Sequence, residues 1–338
     1  MFFKPLPLLR LLCLVHLEIL RNLNFTELYR LAKLSEGAKT VVKKITRTRQ
    51  CSLMLTFDDV PYFYLERIGV KEETEEFKWK KGYALDEFTG TPITQADVMR
   101  QIGNTIILFA DLFNKPTVQM RIAKESLYTP AIVRAFRIVN YLGMTLNHIA
   151  FELDDSSKEV YFRLIHLFKN VHSLTLNSDP PSGFPIKWYP SFECDFLHIR
   201  ATSWFKIERL MNHFMDCKKV HFHFGPLSFP LQKVRPLLQK WIRGENRMET
   251  LIISPSFGAI PFQTLLAGIP AVLVHGVRPK SPNKQFRDGC IITMHNGKKA
   301  FVGSHLDCFV MTTDFQELAS ITDIQTASRS IHMSNTSQ

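Results

Sequence analysis

The sequence predicts an α/β protein: an N-terminal three-helix segment followed by a leucine-rich-repeat-like α/β solenoid closed by a C-terminal β-hairpin. Three observations predict it. An apolar-x-x-apolar-x-apolar pattern occurs five times, as Leu146-Ile149-Phe151, Val171-Leu174-Leu176, Cys194-Leu197-Ile199, Cys217-Val220-Phe222 and Met248-Leu251-Ile253. These windows start at 146, 171, 194, 217 and 248, steps of 25, 23, 23 and 31 residues, inside or just beyond the period of short strand–helix repeats. Most of the intervals carry a helical apolar stripe, and the N-terminal segment consists of such stripes.

At the N-terminus, Leu8, Leu11, Leu12, Val15, Ile19, Leu20 and Leu23 recur at three- and four-residue steps. Asn24-Phe25-Thr26-Glu27 interrupts them, and Thr26 is the expected N-cap of a second helix carrying Leu28, Leu31 and Leu34. Ser35 opens a third, with Ala38, Val41, Val42 and Ile45 on one side. Residues 51–57 and 61–65 read as a pair of strands. In the repeat region, Thr129-Pro130 begins a stripe of Ile132, Phe136 and Val139, and Val160, Leu164 and Phe168 form the next. Asp179-Pro180-Pro181-Ser182-Gly183 breaks helix formation, so residues 177–190 should be loop. Stripes follow at Trp204, Ile207, Leu210, Met211 and Phe214, at Val234, Leu237, Leu238 and Trp241, and at Phe262, Leu265, Leu266 and Ile269. Cys290–Met294 and Cys308–Met311 read as strands, with Asn296-Gly297 as a tight-turn signal. Residues 316–338 are aperiodic and rich in Ser and Thr, the composition of a flexible tail. Strand–helix units of this length cannot cover their own apolar faces, so they stack on one another.

Two segments resemble a known family. Leu8-Leu9-Arg10-Leu11-Leu12, Leu14-Val15, Leu17-Glu18-Ile19-Leu20, then Asn24, Glu27-Leu28, Leu31 and Ser35 resemble the F-box of the large nematode F-box family. Proline is usual there in place of Leu12 and Phe25, and a Lys-Arg pair in place of Glu36-Gly37. Further on, Lys240-Trp241-Ile242-Arg243-Gly244, Asn246, Met248-Glu249, Leu251, Leu265-Leu266, Gly268-Ile269 and Arg287-Asp288-Gly289 are similar to the type 2 F-box-associated domain of the same proteins. The resemblance implies an F-box over residues 4–46, an F-box-associated domain over 50–315 and the tail beyond. It implies a substrate-recognition adaptor of an SCF-type (Skp–cullin–F-box) E3 ubiquitin ligase, working in proteasomal degradation. Its F-box would bind a Skp-type linker, and through it a cullin, by Leu8, Leu11, Leu12, Leu14, Leu17, Ile19, Leu20 and Leu28. The C-terminal domain would capture a target protein that the resemblance leaves unidentified. The alternative is a stand-alone solenoid binding protein or RNA outside any ligase.

Composition and motifs narrow the chemistry. The 338 residues, 45% hydrophobic and 22% charged, can build a sizeable core. The formal net charge of +11 raises nucleic acid as a partner, but the cations are scattered. Their densest cluster, Lys39, Lys43, Lys44, Arg47 and Arg49, lies where a helix runs out into a strand, so nucleic acid is not the expected partner. The six cysteines (Cys13, Cys51, Cys194, Cys217, Cys290 and Cys308) contain no CxxC pair and read as reduced, buried thiols. The N-terminal apolar run resembles a secretory leader, yet Arg10, His16 and Glu18 break it and no small-x-small site follows, so a helix of a cytoplasmic or nuclear protein is expected. No stretch reaches the ~18 apolar residues of a membrane span. Nucleotide-binding glycine loops, GxSxG and HExxH are absent, so no enzyme, catalytic residue or cofactor is expected. His221-Phe222-His223-Phe224 invites a metal reading with His213 and Cys217. On a strand, however, the two histidines share the face opposite the phenylalanines, and a third ligand at suitable spacing is lacking, so no metal is expected. The acidic pairs Asp58-Asp59 and Asp154-Asp155 read as turn or cap positions, and Trp204 and Trp241 as core.

Overall fold

The computed structural model describes residues 13–47, 51–58, 61–67, 77–78, 82–85, 92–93, 95–113, 116–123, 129–153, 157–201, 211–224, 231–254, 262–274, 278–279, 289–305 and 308–316. The chain divides into two compact units, Met1–Phe184 and Pro185–Gln338.

The first unit opens with helices α1 (Cys13–Asn22), α2 (Phe25–Ala32) and α3 (Glu36–Thr46). The N-cap of α2 is Asn24, not Thr26. The Asn24 side chain accepts from the Glu27 backbone N–H at 2.8 Å, and the Glu27 carboxylate accepts from the Asn24 N–H at 2.8 Å. This reciprocal box satisfies two donors at once, which Thr26 cannot do from inside the first turn, where it is buried. Ser35 caps α3 as expected, accepting from the Ala38 N–H at 3.1 Å. The antiparallel pair β1 (Cys51–Phe57) and β2 (Tyr62–Arg67) follows, and β3 (Phe77–Lys78) pairs with β2. A small sheet of β4 (Gly82–Leu85) and β5 (Pro92–Ile93) precedes the long helix α4 (Gln95–Leu112). Then come β6 (Thr117–Ile122), α5 (Thr129–Tyr141), β7 (Thr145–Phe151), α6 (Lys158–Leu167) and β8 (Ser173–Leu176). The strand order is β3-β2-β1-β6-β7-β8, with β1, β6, β7 and β8 parallel. α4 and β6 lie outside the five repeat windows, yet β6 pairs with β7 as a further repeat strand.

The second unit begins with a 3-10 turn at Ile186–Trp188. Residues 177–190 otherwise hold no helix or strand, as the proline-rich sequence requires. Its parallel strands are β9 (Phe196–Ala201), β10 (Lys219–Phe224) and β11 (Thr250–Ser254), with α7 (Arg235–Ile242) before β11. The one-turn helix α8 (Phe262–Leu265) precedes β12 (Ala271–Val274). After β13 (Arg278–Pro279), the strands β14 (Gly289–Thr293), β15 (Lys299–His305) and β16 (Cys308–Thr312) form an antiparallel meander. Gly297, at φ 85°, makes the β14–β15 turn that Asn296-Gly297 signals. β16 pairs antiparallel with β11, β14 with β12, and β17 (Phe315–Gln316) with β13. In each unit the strands form an open array, not a closed barrel.

In β6, β7, β10 and β11 the apolar core positions lie on one side of the sheet, whereas β1 is buried on both sides, with Ser52 and Thr56 buried as well as Leu53 and Leu55. In β6 the even positions Val118, Met120 and Ile122 are fully buried while Arg121 is exposed, and Leu251 and Ile253 alternate likewise in β11. Parallel sheets are usually covered on both faces and read as unbroken apolar runs. Alternation in a parallel sheet instead marks one covered face. In the first unit Tyr29 of α2 packs edge-to-face on Phe63 of β2 at 5.5 Å, and Phe168, after α6, packs on both Phe136 of α5 and Phe151 of β7. In the second, Phe214 meets Phe222 at 5.3 Å, and Trp241 is buried with its indole N–H donating to the Met248 carbonyl at 2.8 Å. Each such ring contributes roughly 1.5–3 kcal/mol by burial. Among the described residues Cys51, Cys194, Cys217 and Cys290 are buried and Cys308 is half-buried, and none of them forms a disulfide.

α2 and α3 belong to the first unit's core. The Tyr29 hydroxyl meets the Thr105 hydroxyl of α4 at 3.4 Å, Phe25 packs on Phe113 at 5.3 Å, and Thr46 donates to the Leu112 carbonyl at 2.5 Å. These contacts cross the boundary expected between residues 46 and 50, and the division into compact units falls at Phe184/Pro185. Leu8, Leu11, Leu12, the acidic pair Asp154-Asp155, most of the stripe from Trp204 and the tail from 317 lie outside the described residues.

Candidate functional site

Strands covered on one side leave their other face to be read residue by residue. In the first unit that face carries Tyr64, Met54, Gln119, His148 and Ser173 in one row across β2, β1, β6, β7 and β8. Tyr62, Thr56, Arg121, Ala150 and Thr175 form the next. These polar groups largely bond one another. Gln119 donates to the Ser52 hydroxyl at 3.4 Å, and the His148 Nδ1 lies 2.9 Å from the Ser173 hydroxyl. The Arg121 guanidinium meets one Glu152 carboxylate oxygen at 2.9 and 2.5 Å, while Asn177 donates to the other at 3.3 Å. That carboxylate holds the guanidinium proton more firmly than usual, and partial burial lowers the His148 pKa.

In the second unit the corresponding positions are Phe196, His198 and Arg200 on β9, Lys219, His221 and His223 on β10, and Thr250, Ile252 and Ser254 on β11. The registers place His198 beside His221 and Arg200 beside His223. The first pair of imidazoles stack face to face, with centroids 4.7 Å apart and planes 8° apart, close to the spacing between neighbouring strands. The buried Ser254 hydroxyl lies 3.0 Å from the His221 Nε2 and 3.2 Å from the His223 Nδ1, bridging the two rings. Arg200 and Lys219 are exposed, and neither meets a carboxylate among the described residues. Phe196 keeps 40% of its surface open beside them. The face is therefore cationic and partly apolar.

His221 and His223 occupy the side opposite Phe222, as the strand period predicts, although they are half-buried and bonded rather than free in solvent. Among the described residues no group of three or more His, Cys, Asp or Glu is placed to hold a metal ion. Arg200, Lys219, His198 and Ser254 were not singled out by sequence. Their signal is only that they stand between the apolar positions of the repeat windows.

The N-terminal positions separate into three groups. Leu20 and Leu28 are 1% and 0% exposed, packed inside the chain's own first unit, where neither can meet a partner. Ile19 is half-buried. Leu14 and Leu17 lie on α1, and their side chains fall outside the description, as do Leu8, Leu11 and Leu12 altogether. Leu34, at the end of the second stripe, stands 77% exposed and Leu31 half-exposed. The basic cluster of α3 has a local partner. Lys39 lies 2.9 Å from the Asp111 carboxylate of α4, and Lys43 binds its other oxygen. The two ammonium groups hold the Asp111 carboxyl below the usual carboxylate range.

Among the described residues no helix is long and apolar enough to cross a membrane. No family model, curated protein or solved structure matches the chain.

Proposed function

We propose that the chain is a substrate-recognition adaptor of a Skp–cullin–F-box ubiquitin ligase, without an active site of its own. The observation that carries this reading is the N-terminal helical segment, whose leucine spacing resembles an F-box. It adds a paired Asn24–Glu27 cap at α2, the half-buried apolar positions Ile19 and Leu31, and Leu34, 77% exposed just after α2. Apolar groups left open on short helices gain free energy when a partner covers them. The burial of Leu20 and Leu28 assigns them to holding the segment on the chain, so linker contact falls to Leu8, Leu11, Leu12, Leu14, Leu17 and Ile19. Behind this segment, repeated strand–helix units support the reading of a leucine-rich-repeat-like solenoid, whose strand face opposite the apolar core positions offers a wide surface for capture. The mechanism is positioning: a target held on that face has a raised effective concentration at the ubiquitin-loading machinery.

A pull-down with purified Skp linker tests it, using the full chain beside a Leu11→Asp/Leu17→Asp variant checked for folding by circular dichroism. A charge forced into an apolar interface costs several kcal/mol, enough to abolish a micromolar complex. The parent should bind and the variant should not. Absence of binding by a folded parent would overturn the ligase reading and leave a stand-alone recognition protein.

A further inference from the structure

Opposite their apolar core positions, the strands of the two units differ in one respect that bears on what is captured. In the first unit the cation Arg121 is neutralised by Glu152, which Asn177 also bonds. In the second, β9 to β11 present Arg200 and Lys219 with no described carboxylate beside them, together with three half-buried imidazoles. The acidic group nearest Arg200 in sequence, Asp195, is engaged by Lys218 at 2.6 Å, and the one nearest Lys219, Asp216, accepts from the Ser191 hydroxyl at 3.2 Å. Phe196 and Ile252 add apolar surface to the same positions.

We infer that this face of the second unit, centred on Arg200, Lys219, His221 and His223, docks an acidic segment of a partner protein. Charge complementarity argues for the sign of the occupant: two exposed cations, neither meeting a carboxylate among the described residues, favour carboxylates. The mixture argues for its class. A nucleic-acid surface needs a run of Lys and Arg along a backbone of phosphates. Here, among the described residues, two permanent cations sit among a phenylalanine, an isoleucine and hydroxyls, the make-up of a protein-binding patch. The Ser254 hydroxyl holds His221 and His223 in fixed orientation, so docking orders few side chains. The inference rests on reading this strand face as the capture surface, but not on linker docking.

The test is fluorescence anisotropy of a labelled octaglutamate peptide with the full chain, which needs no linker. Because the chain carries a net charge of +11, the variants must separate a site from general attraction. Arg200→Glu/Lys219→Glu should weaken binding by at least ~10-fold, whereas Arg134→Glu/Arg137→Glu, the same charge change on exposed positions of α5, should stay within about twofold. Equal losses in both charge-reversal variants would overturn the inference, since net charge alone would then explain the binding. So would tighter binding of a labelled oligouridylate with the same sensitivity to Arg200 and Lys219, which would make the occupant nucleic acid. Loss of octaglutamate binding would leave the linker pull-down unaffected, so the two ideas fail separately.

Discussion

Gly289 shows how much one missing carbon decides. A Cβ there would stand 2.5 Å from two atoms of the Phe301 ring and 2.6 Å from the Val302 carbonyl oxygen. Phe301 is fully buried and packs near Phe315 at 6.4 Å, so the ring has little room to withdraw. Gly289→Ala should therefore destabilise the β14–β15 pair by ~1–3 kcal/mol, read as a lower denaturation midpoint. A smaller change, within ~0.5 kcal/mol, would mean that the meander shifts freely. In sequence nothing near Gly289 signals this; the closeness of Phe301 depends on the paired strand β15, where Gly303 is the register partner of Gly289. His148 carries a pH consequence. Burial lowers its folded-state pKa below the ordinary ~6.5, so above that pH it is neutral in both states. As pH falls below ~6.5 the unfolded chain binds the proton first, and stability declines until the folded-state pKa is passed. Unfolding midpoints measured between about pH 7.5 and 5.5 should fall more steeply in the parent than in His148→Gln. Identical slopes would remove His148 as a contributor.

The helices show where local signals suffice and where they do not. The Ser35 cap and the stripes at Ile132 and Val139 and at Leu237, Leu238 and Trp241 were legible because caps and helical spacing are properties of neighbouring residues, although the helix expected to follow a Thr129-Pro130 cap already includes Thr129. α4 carries its own stripe, Val98, Ile102, Ile106 and Phe109, all buried, but lies upstream of the first repeat window, outside the period that marks the other units. Its placement matters for the N-terminal helices, because α4 is what α2 and α3 pack on. Three short helices cannot bury enough surface to stand alone, and here Tyr29, Phe25, Lys39, Lys43 and Thr46 all find partners in or just after α4. A chain shortened to begin at residue 48 would uncover Phe63, Thr105 and Phe113. It should lose cooperative unfolding and bind a hydrophobic dye such as ANS, as loosely packed states do. If the shortened chain unfolds as sharply as the parent, the N-terminal helices are an independent appendage after all.

For the chain taken whole, the order of elements follows from patterns short enough to read along the sequence. Alternation at two-residue steps gave the apolar side of each repeat strand, and stripes at helical steps gave most of the helices between. Caps and the Asn296-Gly297 turn located several of the ends. The same alternation placed His221 and His223 on the strand face opposite Phe222. What remained out of reach is every pairing between distant residues. His198 meets His221, Ser254 bridges His221 and His223, Glu152 neutralises Arg121, and Asp111 holds Lys39 and Lys43. Each joins different elements of the chain, and a slip of one residue in strand register would move a whole set of side chains to the other face. Local chemistry thus determines which residues can share a face, while the register and packing that join separate strands and helices determine which of them meet, and so which charges on that face stay uncompensated.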